Sequence, residues 1–252
     1  MKKILVCFLV ATLIGKGLLA QGSITSLVGA ASYMTPSLQR TEDSLRKKFA
    51  AMGLQWPAKE VYFRSFKYDS QLEVWVRNNK NEPFKLFKSY RVCAMAGALG
   101  PKRKEGDFQV PEGFYYISEF NPHSEYHLSL RLNYPNESDK MLSDSKTPGS
   151  GIYIHGSCVT VGCIPLRDEQ IEEVYLIALG AKLSGQEFIP VHVFPVRFNN
   201  DKSASYFTKV SKDNYSLQRF TVSLKDAYDY FENKKTIPLI SVNKKGEYII
   251  LD

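Results

Sequence analysis

Apolar residues recur along this chain in two rhythms, one helical and one alternating, and each occupies its own stretches. In residues 37–52, Leu38, Leu45, Phe49 and Met52 fall near one side of a helix, charged residues fill the other, and Gly53 ends the run. Strands are predicted at 61–66, 72–76 and 84–96, with turns at Tyr68-Asp69-Ser70 and 78–82 between them. A polar loop rich in Gly, Pro and charge covers 99–113, followed by a strand at 114–118. Tyr126, Leu128, Leu130 and Leu132 then alternate with His127, Ser129 and Arg131, the pattern of a half-buried strand. Residues 133–150 read as a loop and 151–155 as a short strand. Asp168 is placed to cap a helix carrying Ile171, Val174, Tyr175, Ala178 and Leu179 at helical spacing. A strand at 191–198, interrupted by Pro195, an amphipathic helix at 217–231, and a hairpin of 237–242 with 247–251 complete the pattern. Helices and strands in this order, without an internal repeat or an obvious linker, imply an α+β protein built on a mixed β-sheet.

Composition narrows the class. The chain has 252 residues, enough for a real core, and its 44% hydrophobic and 23% charged content is that of a folded protein. An aromatic content of 13%, with 15 Tyr and 15 Phe, suits β-rich structure or a ring-lined groove. Lys2 and Lys3 precede an apolar run at 4–14 that is too short to span a bilayer comfortably, and Ala20-Gln21-Gly22 offers small residues for cleavage. Residues 1–22 therefore read as a signal peptide, with an uncleaved anchor as the alternative, and membrane contact is expected only during export. Loss of Lys2, Lys3 and Lys16 lowers the formal charge from +7 to +4. The remaining lysines are scattered without a basic stripe, which argues against nucleic acid as a partner. Cys7 leaves with the leader, so Cys93, Cys158 and Cys163 remain, and an odd number leaves at least one thiol unpaired.

The chemistry concentrates in Ile154-His155-Gly156-Ser157-Cys158-Val159-Thr160-Val161-Gly162-Cys163-Ile164-Pro165-Leu166. A nucleophilic cysteine needs a base or an electropositive setting, and His155 ends a strand whose following turn can fold back toward Cys163. Gly162 removes bulk beside that sulfur, and the N–H groups of Gly162 and Cys163 could face a developing oxyanion. Three other readings compete: a Cys158–Cys163 disulfide, a zinc site of His155, Cys158, Cys163 and His192, and an inert buried cysteine. The ligand spacing matches no standard zinc pattern, and neither a metal nor a cofactor is expected.

The run His155-Gly156-x-Cys158-x-Thr160-x-Gly162-Cys163 resembles the YkuD-type L,D-transpeptidases, specifically their YafK-like branch. Blocks at 99–107, Pro111-Glu112-Gly113-Phe114-Tyr115, Asn121-Pro122, Tyr134-Pro135-Asn136 and 191–195 carry the same resemblance. It implies a β-rich catalytic domain over 61–198, after a helical segment at 23–60 and before a helix-and-hairpin extension at 199–252. It further implies that Cys163 is acylated by a peptidoglycan stem peptide with His155 as general base. A backbone carbonyl, rather than an acid, would orient the imidazole. An amine, from another stem peptide or from a wall-linked protein lysine, would resolve the thioester in transpeptidation, and water would do so in hydrolysis. A third alternative is a non-catalytic wall-binding module. The wider family carries Ser-His-Gly-Cys followed by an apolar residue and Arg, and this chain lacks that His and that Arg. Arg167 is the candidate substitute. Glu112, His127, Gly156 and Thr160 complete the expected substrate-binding set, and Cys158 is either a neighbour of the site or an oxidation partner for Cys163. The branch resemblance implies a periplasmic location, at or near the wall.

Overall fold

The computed structural model describes Leu27 and residues 29–251, so the leader expected at 1–22 lies outside the described residues. Helix α1 (Pro36–Ala51) begins where Pro36 pre-sets the helical φ and Thr35 Oγ1 accepts the Leu38 N–H at 3.2 Å. It buries Leu38, Leu45 and Phe49. Strands β1 (Glu60–Phe66), β2 (Gln71–Arg77) and β3 (Lys85–Arg91) form an antiparallel meander. Strands β4 (Gly113–Ser124) and β5 (His127–Leu132) pair antiparallel, β6 (Tyr153–His155) joins β5, and β7 (Ile164–Pro165) lies parallel to β6. Helix α3 (Asp168–Leu183), which follows the short helix α2 (Glu137–Leu142), returns the chain to β8 (Pro190–Phe194). That strand inserts between β1, to which it is parallel, and β4, to which it is antiparallel. The result is one mixed eight-stranded sheet, in the order β3-β2-β1-β8-β4-β5-β6-β7, within an α+β fold.

The inner strands are buried on both sides. All interior positions of β1 and β2 are buried, without the alternation of a half-solvated strand. Val61, Phe63 and Val74 share a core with Phe49 of α1 and Val174 and Ile177 of α3. The opposite face is closed by α4 (Asp201–Ser211), α5 (Tyr215–Lys234) and the hairpin of β9 (Leu239–Val242) with β10 (Tyr248–Leu251). There Leu224 and Tyr228 of α5 and Tyr248 of β10 pack with Phe66 and Phe194. Residues beyond 199 thus cover the second face of the same sheet, with a hydrophobic cluster of their own. No helix among the described residues is long and apolar enough to cross a membrane.

Several elements differ from the sequence expectation. The loop at 133–150 contains α2, nucleated by a reciprocal cap in which Asn136 Oδ1 accepts the Asp139 N–H and Asp139 Oδ2 accepts the Asn136 N–H. The strand expected at 84–96 ends at Arg91, because the Cys93 N–H turns to the Pro165 carbonyl at 3.0 Å. β4 continues past 118 to Ser124 through two irregularities in its pairing with β5, which let a long strand bend.

A charged cluster fastens the second wall to the sheet. Arg64 of β1 is 1% exposed and pairs with Glu73 of β2 and Glu232 of α5, each at 2.7 Å. Glu73 also accepts from Arg197 Nη1 at 2.6 Å and from Trp75 Nε1 at 2.7 Å. The Arg64 guanidinium lies 4.6 Å from the Phe231 ring centroid and 4.9 Å from that of Trp75. Desolvation of so buried a cation is offset only while its partners stay in place. Removing the Glu73 charge alone, as in Glu73→Gln, is expected to lower unfolding free energy by about 3–5 kcal/mol. Chemical denaturation of this variant against the parent measures it, and an unchanged midpoint would refute the role given to the cluster.

Candidate active site

The pairing of β6 with β7 decides which side chains can meet. Ile154 is registered with Ile164 and His155 with Pro165, and both isoleucines are fully buried in the core. Side chains alternate along a strand, so His155 points away from that core. Cys163 precedes Ile164 and therefore points the same way, diagonal to His155 on one face of the sheet. The Tyr153 N–H lies close enough to the Cys163 sulfur to lower its pKa, which agrees with this register.

His155 is 3% exposed, and its Nδ1 lies 2.6 Å from the Gly156 carbonyl. A carbonyl oxygen can only accept, so Nδ1 carries the hydrogen and Nε2 keeps its lone pair. Burial pulls the imidazole pKa below its ordinary 6.5, and the Gly156 bond opposes this in part. Tyr126 covers the ring at 4.8 Å between centroids and is itself 46% exposed. Its carbonyl also accepts the Gly156 N–H at 3.0 Å. The sequence pattern assigned Tyr126 to the buried set of a strand. The strand starts one residue later, at His127, whose φ of 71° breaks the alternation.

Cys163 is partly exposed and is the one free thiol among the described residues. Its Sγ lies 3.6 Å from the Gly151 carbonyl. Burial raises the thiol pKa, while the Tyr153 N–H and the charge of Lys102 act against that rise. The turn before it is held at several points. Thr160 Oγ1 donates to the Cys163 carbonyl at 2.8 Å and accepts the Gly162 N–H at 3.0 Å. Gly162 has φ +142°, and a Cβ there would come within 3.1 Å of the Gln109 carbonyl. A Cβ at Gly156 would meet Asp168 Oδ1 at 2.6 Å and the Tyr126 carbonyl at 2.8 Å. Thr160 and Gly156 therefore shape the turn. Of the two donors expected for an oxyanion, that of Gly162 is committed to Thr160.

The other expected residues have different settings. Glu112 is fully buried, accepts the Gly100 N–H at 2.7 Å and faces Lys67 Nζ at 3.2 Å. Burial raises its pKa, and Lys67 opposes that rise. It holds the 98–110 segment from inside and is not on a substrate-side loop. His127 donates through Nε2 to Glu172 at 3.0 Å, and Glu172 also accepts from Ser37 and Thr41. This ties the turn below Tyr126 to α1 and α3. Arg167 is exposed at the start of α3, where its N–H donates to Gln170 Oε1. His192 is buried on the far wall against Tyr62 Oη at 2.7 Å, and burial pushes its pKa down to about 3. Cys158 is bonded to Cys93, so neither the Cys158–Cys163 disulfide nor the four-ligand zinc arrangement is formed.

The family model for the YkuD L,D-transpeptidase catalytic domain matches residues 67–193, which include β4 to β7 around Cys163 and all but the last residue of β8. This chain belongs to that family. It is 31% identical over 231 residues, 90% of its own length and 84% of the other's, to the Escherichia coli K12 protein named "Putative L,D-transpeptidase YafK". The counterpart from Escherichia coli O157:H7 matches equally. Among solved structures, the helical cell shape determining protein Pgp2 from Campylobacter jejuni aligns with TM-score 0.42 and 19% identity, over 79% of this chain and 80% of that one. Bd1075 from Bdellovibrio bacteriovorus aligns with TM-score 0.39 and 21% identity, over 70% and 64%.

The thiol arrangement of this family member is directly measurable. Iodoacetamide on the native, unreduced protein is expected to label Cys163 alone among residues 29–251, and Cys93 and Cys158 only after reduction. Peptide mapping that recovers alkylated Cys158 without reductant would contradict the pairing.

Proposed function

We propose that the protein is an exported peptidoglycan L,D-transpeptidase that forms a thioester with a stem peptide through Cys163. The observation carrying this reading is the His155 tautomer: the Gly156 carbonyl holds the Nδ1 hydrogen, leaving Nε2 as a base on the face that bears a free cysteine. The imidazole pKa is lowered and the thiol pKa raised, both chiefly by burial. At neutral pH the resting pair is thiol and imidazole rather than thiolate and imidazolium. Sγ attacks the peptide carbonyl as its proton passes to Nε2, and the imidazolium then returns that proton to the departing amine. An incoming amine resolves the thioester in transpeptidation, and water resolves it in hydrolysis. With the Gly162 N–H committed to Thr160, the Cys163 N–H is the remaining donor for the developing oxyanion. Export is supported by the Cys93–Cys158 disulfide, since such bonds persist in oxidising compartments.

Muropeptides incubated with the protein are expected to yield cross-linked products by mass spectrometry, with Cys163→Ala lower by roughly 10⁴-fold or more. Trimmed or uncross-linked products made only by the parent would assign the same nucleophile to hydrolysis. Products unaffected by Cys163→Ala would refute the mechanism.

The pH profile tests the base separately. A His155 pKa below 6.5 keeps Nε2 unprotonated into mild acid, so the acidic limb of kcat/KM is expected below 6.5. Tyr126→Ala admits water to the ring, favours imidazolium and moves that limb upward, whereas Tyr126→Phe leaves it in place. A limb that ignores both substitutions would remove Tyr126 from the positioning of His155.

A further inference from the structure

A groove of about 1110 Å³, larger than most small-molecule sites, lies between the 99–109 segment and the C-terminal helix and hairpin. Its walls are the 99–109 segment, α2, the first turns of α5 and the turn joining β9 to β10. Gln109 connects it to the nucleophile: its side chain lines the groove, and its carbonyl packs against Gly162.

Its lining has a definite chemistry. Arg103, Arg219 and Lys245 supply three cations against the single carboxylate of Glu247. Arg103 is paired with Asp139 at 3.2 Å, but Arg219 and Lys245 are exposed and form no ion pair among the described residues. Val222 and Ile249, 57% and 40% exposed, add apolar surface to the same groove. Arg219 and Lys245 lie on α5 and the hairpin, outside the segment 67–193 matched by the family model.

We propose that this groove is a peptide subsite. It holds, through Arg219 and Lys245, the free carboxylates of the wall peptide that extends from Cys163, and it packs that peptide's small apolar side chains against Val222 and Ile249. The proposal rests on the transpeptidase reading for the identity of the peptide, and on the charge and size of the groove for its location. Opposite charges on exposed side chains contribute modestly one at a time, so the test reverses both.

The probe is a stem tetrapeptide purified from peptidoglycan, titrated calorimetrically into the full chain carrying Cys163→Ala, alongside the same peptide with its carboxylates amidated. Adding Arg219→Glu and Lys245→Glu is expected to weaken binding of the free peptide at least about tenfold and to leave the amidated peptide unchanged. The same pair of substitutions in the active enzyme is expected to raise KM by a similar factor with kcat within about twofold, the sign of lost uniform binding. An unaltered Cys163 alkylation rate and thermal midpoint show that the fold and the nucleophile turn survive the substitutions. Equal affinity before and after reversal, or no measurable binding of the free peptide, overturns the subsite. Charge-dependent binding without turnover of any wall peptide supports the groove and counts against the transpeptidase reading. Turnover unaffected by the reversal does the opposite.

Discussion

Two parallel strands joined by only eight residues set the terms for this site. His155 ends β6 and Ile164 begins β7, so residues 156–163 must carry the chain back to the start of a parallel neighbour. Parallel connections usually take a dozen residues or more and a helix. This one has neither, and its conformation shows the cost. Ser157 and Cys158 both adopt positive φ, of 65° and 43°, Gly162 does so at 142°, and Thr160 spans the turn with one hydroxyl. External ties supply what the short loop cannot. Asp168 Oδ1 accepts the Ser157 N–H at 2.8 Å, and the disulfide fixes Cys158 to the segment after β3. What results is a histidine and a cysteine on one face, with a carbonyl in the same turn selecting the tautomer.

That local character explains why the centre of the site was legible in the sequence while its surroundings were not. His155, Gly156, Gly162 and Cys163 lie within nine positions, and their chemistry needs no distant partner to be recognised. The alternation of Leu128, Leu130 and Leu132, the face of α3 and the final hairpin likewise reflect periods visible within a single element. Glu112 was misjudged because its burial depends on Lys67, 45 positions earlier, and on the Gly100 amide. Cys93 and Cys158 are 65 residues apart, and counting thiols cannot choose among the pairings. The amphipathic pattern of α5 announced a helix with an apolar face. It did not say that this face would meet the second side of the sheet, around a buried Arg64. Tyr126 was hidden by a break of alternation at a non-glycine residue with positive φ, an event for which His127 gives no advance sign.

The electrostatics of the site follow from the same packing. The sheet edge keeps His155 away from water through Tyr126, and the turn partly encloses Cys163, so each group is pushed toward its uncharged form. A preformed ion pair would need stabilising charge nearby. The closest candidate, Lys102, is already engaged by Asp107 and the Lys104 carbonyl, and it lowers the thiol pKa less than burial raises it. Both groups therefore rest in their uncharged forms at neutral pH.

The disulfide has a second consequence in that setting. With three cysteines among residues 29–251, oxidation permits three single pairings, and two of them would consume Cys163. The fold selects the third. The Cys93 N–H bonds to the Pro165 carbonyl, which lays the segment after β3 alongside β7 and brings Cys93 to the exposed shoulder of the turn where Cys158 sits. Cys163 turns instead toward β6, with its sulfur 3.6 Å from the Gly151 carbonyl and near the Tyr153 amide. One covalent bond thus restrains a strained connection and ties up the two thiols that could otherwise pair with Cys163. The same pairing that holds the turn in shape keeps its sulfur reduced and available.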